Sequence, residues 1–254
     1  MSLERTTVTA SLIIIGNEIL SGRTTDANLP YLAKALGEIG IRLTEARVVS
    51  DDEFEIVGAV NACRSKYDYV FTTGGIGPTH DDITAACVAK AFGRPYGRNT
   101  EAEARLLAYY PPEKVNDARM SMADMPDGVT LIDNPVSIAP GFRIENVFVM
   151  AGVPKIMQAM LDNILPTLQG GAKMLSRSIT VFLPEGELAE PLADLQTRHA
   201  SLEIGSYPFF GTRGPGSTIV FRGLEQGDID RAADELHAFT LGRKAEAIEG
   251  SMRD

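Results

Sequence analysis

Thr72-Thr73-Gly74-Gly75-Ile76-Gly77-Pro78-Thr79-His80-Asp81-Asp82 is the stretch that decides how this chain is read. An apolar strand pattern, Tyr69-Val70-Phe71-Thr72, runs into it. A helical pattern from Thr84 to Phe92 leaves it and stops at Gly93. Glycines at 74, 75 and 77 remove the side chains that would keep a ligand away from the backbone. The helix N-terminus beyond them is expected to offer unpaired N–H groups and a partial positive charge, which suit an anion. In an open parallel sheet, ligands bind beyond the carboxyl ends of the strands. A tight strand-to-helix turn with no ligand would use the same glycines, so the loop alone leaves the two readings level. Asp81 and Asp82 shift the balance. Adjacent carboxylates repel a bare phosphate, but they make sense as a helix cap, as holders of a divalent cation, or as acceptors for a heterocycle or ribose. Mg²⁺ is the natural cation, because it takes oxygen ligands and is shared with substrate phosphates. His80 reads as a polar loop residue.

Working outward, strand and helix patterns alternate. Thr9 to Ile15 is a continuous apolar run, as expected of a strand covered on both faces. Leu29, Leu32, Ala33 and Leu36 repeat at helical spacing, and Gly40 supplies a stop. Ile41 to Val49 reads as a strand, and Ser50-Asp51-Asp52-Glu53 has the form of a capping box before a helix carrying Ile56, Val57, Val60 and Cys63. Such alternation implies right-handed crossovers and a parallel sheet. The segment from Arg94 to Asp127 is less regular, with helices expected around 101–109 and 113–122, divided by Pro111-Pro112. Strands at 129–132 and 147–150 and a helix from Pro154 to about Leu168 follow. Gln169-Gly170-Gly171 reads as a boundary. Beyond it, strands at 178–183, 202–207 and 217–221 and helices at 188–198 and 229–239 suggest a small α+β lobe. The polar tail from Gly242 to Asp254 is expected to fray. The fold expected is therefore α/β, a three-layer α/β/α arrangement on a mostly parallel sheet, with residues 1–170 as the main domain. Residues 171–254 form the small lobe and tail.

Composition narrows the function. Lysine plus arginine number 24 against 34 aspartate plus glutamate, a formal charge of −10. That balance argues against a nucleic-acid partner, which needs clustered cations. It leaves room for one small anionic ligand held locally. No run approaches the ~20 apolar residues of a membrane span. The opening residues Met1-Ser2-Leu3-Glu4-Arg5 lack the order of a secretory signal, so a cytoplasmic location and no membrane partner are expected. Cys63 and Cys87 lie in apolar helical patterns without Cys or His partners at metal-site spacing, and read as buried thiols. Three histidines, His80, His199 and His237, do not suggest a histidine-rich metal site.

Further candidates sit in the other loops. Gly16-Asn17-Glu18-Ile19-Leu20-Ser21-Gly22 follows the first strand, with Asp26 and Asn28 beyond it. The ends of strands one and three can face one crevice, which would bring Glu18 towards the glycine loop. Asp26 is equally suited to capping the first helix, and Asp51 to capping the second. Carboxylates at successive strand ends can activate a water or orient a metal. Asn134-Pro135-Val136-Ser137-Ile138-Ala139-Pro140-Gly141-Phe142 reads as a rigid loop whose Ser137 can touch phosphate. Ala151-Gly152-Val153-Pro154 opens a helix and makes a second anion-compatible terminus, near which Lys155 can add positive charge or simply be solvated. The candidate ligand-binding set is thus Gly16, Asn17, Thr73, Gly74, Gly75, Gly77, Pro78, Thr79, Ser137 and Gly152. Asp82, Asp51 and Glu18 are the candidate catalytic groups, and Asp81 and Asp82 the candidate metal ligands.

In this order the segments resemble the MoaB/Mog molybdopterin-binding fold. The pattern is most similar to the N-terminal domain of competence/damage-inducible protein A (CinA) and to the molybdopterin-binding-like domain of FAD synthase. The resemblance rests on Gly16 through Gly22 with Asp26 and Asn28, on Asp51-Asp52, on Thr73 through Thr84, and on Ala139-Pro140-Gly141-Phe142. It covers about residues 8–168, and Gly205-Ser206-Tyr207-Pro208 resembles the small second lobe of the same relatives. It implies a three-layer α/β fold, a homo-oligomer, and a pocket for molybdopterin or a nucleotide diphosphate. It also implies functional aspartates at Asp51 and Asp82. In the CinA and FAD-synthase relatives the module is associated with metal-assisted hydrolysis of ADP-ribose or FAD. This chain departs from the CinA-type pattern at Ser137 and Ile138, where glycine then threonine are usual, and at Ile156, where glutamate is usual. A hydroxyl and a carboxylate are thereby lost, which weighs against CinA-type hydrolysis. The FAD-synthase-like domain shares Val-Ser in the first of these regions. Neither the amidohydrolase nor the FAD-synthesising activity of longer relatives is expected. A scaffold with a vestigial pocket, serving as an interaction protein, is the remaining reading.

Overall fold

The computed structural model describes residues 7–211 and 213–251. Residues 1–5, read above for a signal, and 252–254, the end of the polar tail, lie outside the described residues. The chain divides after Ala172 into two compact units.

In the first unit, β1 (Val8–Ile15) is followed by the one-turn α1 (Asn17–Leu20), then α2 (Asn28–Glu38), β2 (Ile41–Val49), α3 (Glu53–Arg64), β3 (Tyr69–Thr73) and α4 (Thr84–Phe92). An excursion comprises β4 (Tyr96–Arg98), α5 (Thr100–Tyr109), the one-turn α6 (Asp117–Met120) and β5 (Asp124–Pro126), with β4 and β5 paired antiparallel. The chain then returns through β6 (Thr130–Ile132), β7 (Gly141–Ile144), β8 (Val147–Met150) and α7 (Pro154–Ile164). The six-stranded sheet has the order β2-β1-β3-β8-β7-β6. Its first four strands are parallel, and β7 runs antiparallel to both neighbours.

Strand periodicity assigns the layers. Ile13, Ile15, Val70, Val147 and Val149 share one core with Ile56 and Val60 of α3 and Val88 of α4. Leu12, Ile14, Phe71, Phe148 and Met150 face the other way and pack with Leu32 and Leu36 of α2 and Met157 and Leu161 of α7. Alternate residues of one strand therefore enter opposite cores, which is why the runs are apolar throughout. From β1 the chain goes to β2 on one side, and then crosses to β3 on the other. That reversal leaves a crevice outside the carboxyl ends of β1 and β3, the place where open α/β sheets bind ligands.

Local expectations needed correction. The box expected from Ser50 to Glu53 does not form. Asp52 caps α3 instead, its Oδ1 accepting from Phe54 N at 2.9 Å and Glu55 N at 3.2 Å, while Glu53 pairs with Lys90. The helix expected over 113–122 breaks into a 3₁₀ turn at Pro112–Lys114 and the short α6, which Asn116 caps through Arg119 N at 2.9 Å. The helix from Pro154 ends at Ile164 and tightens into a 3₁₀ turn, because Pro166 has no N–H to continue it. Gly141 and Phe142, read as loop, begin β7.

The second unit comprises β9 (Leu175–Val181), α8 (Glu185–Arg198), β10 (Glu203–Gly211), β11 (Gly214–Gly223), α9 (Gln226–Gly242) and β12 (Ala247–Glu249). Its sheet is antiparallel, in the order β10-β11-β9-β12, a split β-α-β plan. Ile179, Val181, Ile219 and Phe221 pack against Leu188, Leu195, Ile229 and Leu236 from the two helices. The tail does not fray at 247–249. It pairs with β9, and Arg177 Nη2 donates to Glu249 Oε1 at 2.5 Å. Edge pairing and an ion pair with a distant residue order a segment too short for its own pattern to reveal. Among the described residues no helix is long and apolar enough to cross a membrane.

Candidate functional site

After Thr73 the backbone turns through Gly74 (φ 105°) and Gly75 (φ 67°), a region other residues rarely enter. Space also demands glycine. A Cβ on Gly74 would lie 2.1 Å from the Ile15 carbonyl oxygen, and one on Gly75 2.2 Å from Thr84 Oγ1. The loop closes through Gly74 N to Met150 O at 3.2 Å, Thr84 N to Gly75 O at 3.0 Å and Thr84 Oγ1 to Gly74 O at 3.0 Å. One expectation changes as a result. The first amide of α4 is taken by the loop's own carbonyl. The backbone donors left for a ligand are those of Gly75, Ile76 and Gly77, all three residues lining the cleft.

That cleft has a volume of about 520 Å³, within the range of small-molecule pockets. Gly16 and Glu18 from the loop after β1, Asp51 from the loop after β2, Gly74 to Pro78 with Asp81 and Asp82, Ser137, and Gly152 all line it. Thr73, Asn17 and Thr79 do not. Thr73 is buried within β3, and the other two hold acidic neighbours in place. The Asn17 amide donates to Asp51 Oδ2 at 2.8 Å, so Asp51 joins two loops and does not cap α3. Thr79 donates to Asp82 Oδ2 from its amide at 2.9 Å and from its hydroxyl at 2.5 Å. Neither Asp81 nor Asp82 caps α4, whose N-cap is Ile83. The nearby Thr79 hydroxyl, then Asp81's own amide, then the charge of His80 hold the Asp81 carboxyl below its ordinary pKa. Asp26 takes its capping role, accepting from Leu29 N at 2.8 Å, and neither it nor Lys155 lines the cleft.

The opposite wall is the loop that follows β6. Buried Asn134 folds it: Nδ2 donates to Ser137 Oγ at 2.6 Å and Ala139 O at 2.8 Å, and Oδ1 accepts from Val136 N and Ser137 N, both at 3.1 Å. Ile138 is held at φ 68°, unusual for a β-branched residue, with its side chain against the core on the α3 and α4 side. Asn28, buried at the start of α2, donates to the Gly152 carbonyl at 2.8 Å and ties that loop down. Sequence reasoning missed Thr24 and Met122 as lining residues. Thr24 is bent back by its amide's bond to Glu18 O at 3.1 Å, and Met122 comes from the irregular excursion, where no periodicity pointed to the cleft.

A mostly parallel α/β sheet with a cleft at its switch point, walled by a glycine loop and acidic side chains, has the architecture in which open α/β sheets hold small molecules. Residues 11–170 match the family described as "Probable molybdopterin binding domain", and the chain belongs to that family. Residues 173–245 match "FAD synthase, middle domain". A CinA-like protein of Desulfosudis oleivorans is 37% identical over 199 residues, covering 72% of this chain and 48% of that protein. A probable FAD synthase of Caenorhabditis briggsae is 32% identical over 236 residues, covering 81% of this chain and 45% of that one. The chain thus spans about half the length of these two, but 95% of an Archaeoglobus fulgidus protein that is 32% identical. Among solved structures, a protein CinA of unknown function from Thermoplasma acidophilum matches with a TM-score of 0.60 and 34% identity, over 64% of this chain and 98% of its own.

Proposed function

We propose that the switch-point cleft binds a phosphate-bearing pterin or nucleotide. The observation that carries this reading is the convergence of the Gly75, Ile76 and Gly77 amides with Glu18, Asp51, Asp81 and Asp82 on one cleft. Backbone amides suit phosphate oxygens. The carboxylates set a condition. Among the described residues the lining holds these four acids and no lysine, arginine or histidine, so a bare diphosphate would meet like charge. The ligand is therefore expected to enter with a divalent cation such as Mg²⁺, which uses one or two protein carboxylates together with phosphate oxygens and waters. Asp81 and Asp82 are the side chains that would hold it. The residues fit a shared ion and not a cage built by protein alone: among the described residues, no group of three or more His, Cys, Asp or Glu side chains is placed to hold a metal. The family description supports a pterin, and the FAD-synthase likeness supports a dinucleotide.

Hydrolysis is a second reading, favoured by Asp51. It is held in the cleft by the Asn17 amide and, among the described residues, has no cationic partner there. A carboxylate so placed, or Glu18, can accept a proton from a water attacking phosphorus while the P–O–P bridge of ADP-ribose or FAD breaks. The cation, when bound, would neutralise charge on the diphosphate.

A thermal-shift panel of a pterin phosphate, FAD and ADP-ribose, with and without Mg²⁺, tests both readings when followed by a hydrolysis assay on each hit. Stabilisation that needs the divalent ion is the expected result, since a ligand raises the melting temperature by mass action. Binding without turnover leaves the first reading alone. No shift with any probe rejects both and makes the cleft vestigial.

A further inference from the structure

Beside its four acids the cleft has an apolar lining that includes Ile76, Met122 and Ile156. Met122 packs against the core on the α3 and α4 side, and Ile156 against the core on the α2 and α7 side. Both line the cleft, so they approach it from opposite faces of the sheet. Between them Ile76, in the glycine loop, packs against both cores. The two walls differ mechanically. Ile156 is β-branched and lies in the first turn of α7, its amide bonded to Val153 O at 2.9 Å, so it is a stiff wall. Met122 is unbranched, and it also lines a chamber of about 40 Å³ behind the cleft, shared with Tyr96 and Asp124. It has room to give way, and its polarizable sulfur makes favourable contacts with aromatic rings.

We propose that Met122 and Ile156 are the jaws that hold the planar ring of the ligand, and that they make the site select ring-bearing diphosphates over ring-free ones. The inference rests on the proposed function. It assigns the ring to the apolar slot over Ile76 and the phosphates to the glycine loop. Two apolar faces on either side of a flat heterocycle exclude water without competing for its polar edges, which remain free to meet the neighbouring carboxylates.

Isothermal titration with Mg²⁺ present, using FAD, ADP-ribose and inorganic pyrophosphate on the full chain, separates the two claims. The expected result is tighter binding of FAD and ADP-ribose than of pyrophosphate by the unaltered protein. Met122→Ala and Ile156→Ala should each weaken FAD about tenfold and leave pyrophosphate within about twofold, the scale of one lost sulfur–aromatic or aliphatic ring contact. Met122→Leu, which keeps the volume, should lose less than Met122→Ala. Circular dichroism melts confirm that each variant is folded, and Met122→Leu keeps the test alive should an alanine variant fail to fold. Equal binding of ringed and ring-free probes, or parallel losses for both in the variants, overturns the jaws and leaves the phosphate cleft standing. No binding by any probe overturns the cleft as well.

Discussion

The amide of Asn17 donates to Asp51 Oδ2 at 2.8 Å, joining two loops that leave adjacent parallel strands. This bond makes Asp51 both a brace and a cleft carboxylate. Asp51→Asn keeps an acceptor for Asn17 and should cost less than about 1 kcal/mol, whereas Asp51→Ala should cost about 1–2 kcal/mol. Both should lose hydrolysis of any diphosphate that the unaltered protein cleaves, since neither side chain can accept the proton of the attacking water. Urea denaturation gives the first quantity and a hydrolysis assay the second. Full turnover in Asp51→Asn would confine the residue to its bracing role.

Substituting Gly75 should be far worse than substituting a glycine with free space around it. Gly75 and Gly22 have similar φ, 67° and 71°, but only at Gly75 would a Cβ meet an atom, Thr84 Oγ1 at 2.2 Å. Gly22→Ala is expected to cost about 1 kcal/mol from backbone strain, and Gly75→Ala about 3 kcal/mol or more. Equilibrium unfolding of the two variants compares them directly, and equal costs would mean that the loop yields.

Asn134→Ala removes a buried amide that serves four partners in its own loop. A loss of about 2–3 kcal/mol is expected, with faster hydrogen exchange over 134–139 and weaker ligand binding, since Ser137 would no longer be held at the wall. Unchanged exchange there would show that Pro135 and Pro140 suffice to set the loop.

Glu45 offers a pH test remote from the cleft. Hydrogen bonds from Tyr67, Lys66 and Arg47, in that order, depress its pKa from 4.5 to about 2. A carboxyl whose folded pKa is depressed adds stability above its unfolded value and loses it as pH falls through the folded one. Glu45→Gln should therefore be less stable than the unaltered protein at neutral pH, with the gap closing between pH 4.5 and about 2. A gap that persists at pH 2 in urea titrations would point to shape and not charge.

How far the sequence spoke depended on the range of the interaction. Apolar strands and helical stripes announced the parallel sheet, since Leu12 to Ile15 must satisfy two cores at once. Gly74 and Gly75 were legible as a close approach of backbone. Helix caps were less so: Asp51 and Asp52 are equally good acceptors on paper, and only a contact across 34 residues sends one to Asn17 and leaves the other to α3. β12 escaped notice because three residues carry no periodicity, and its order comes from β9 and Arg177.

By itself the sequence determined the alternation of elements, the faces they bury and the glycine turn, because each follows from residues a few positions apart. Tertiary structure decided which acids share a cleft, which amides stay free, and that Met122 and Ile156 meet it from opposite sides. Those relations exist only once the sheet has closed around its two cores, and no local pattern encodes a distance between residues that the fold alone brings together.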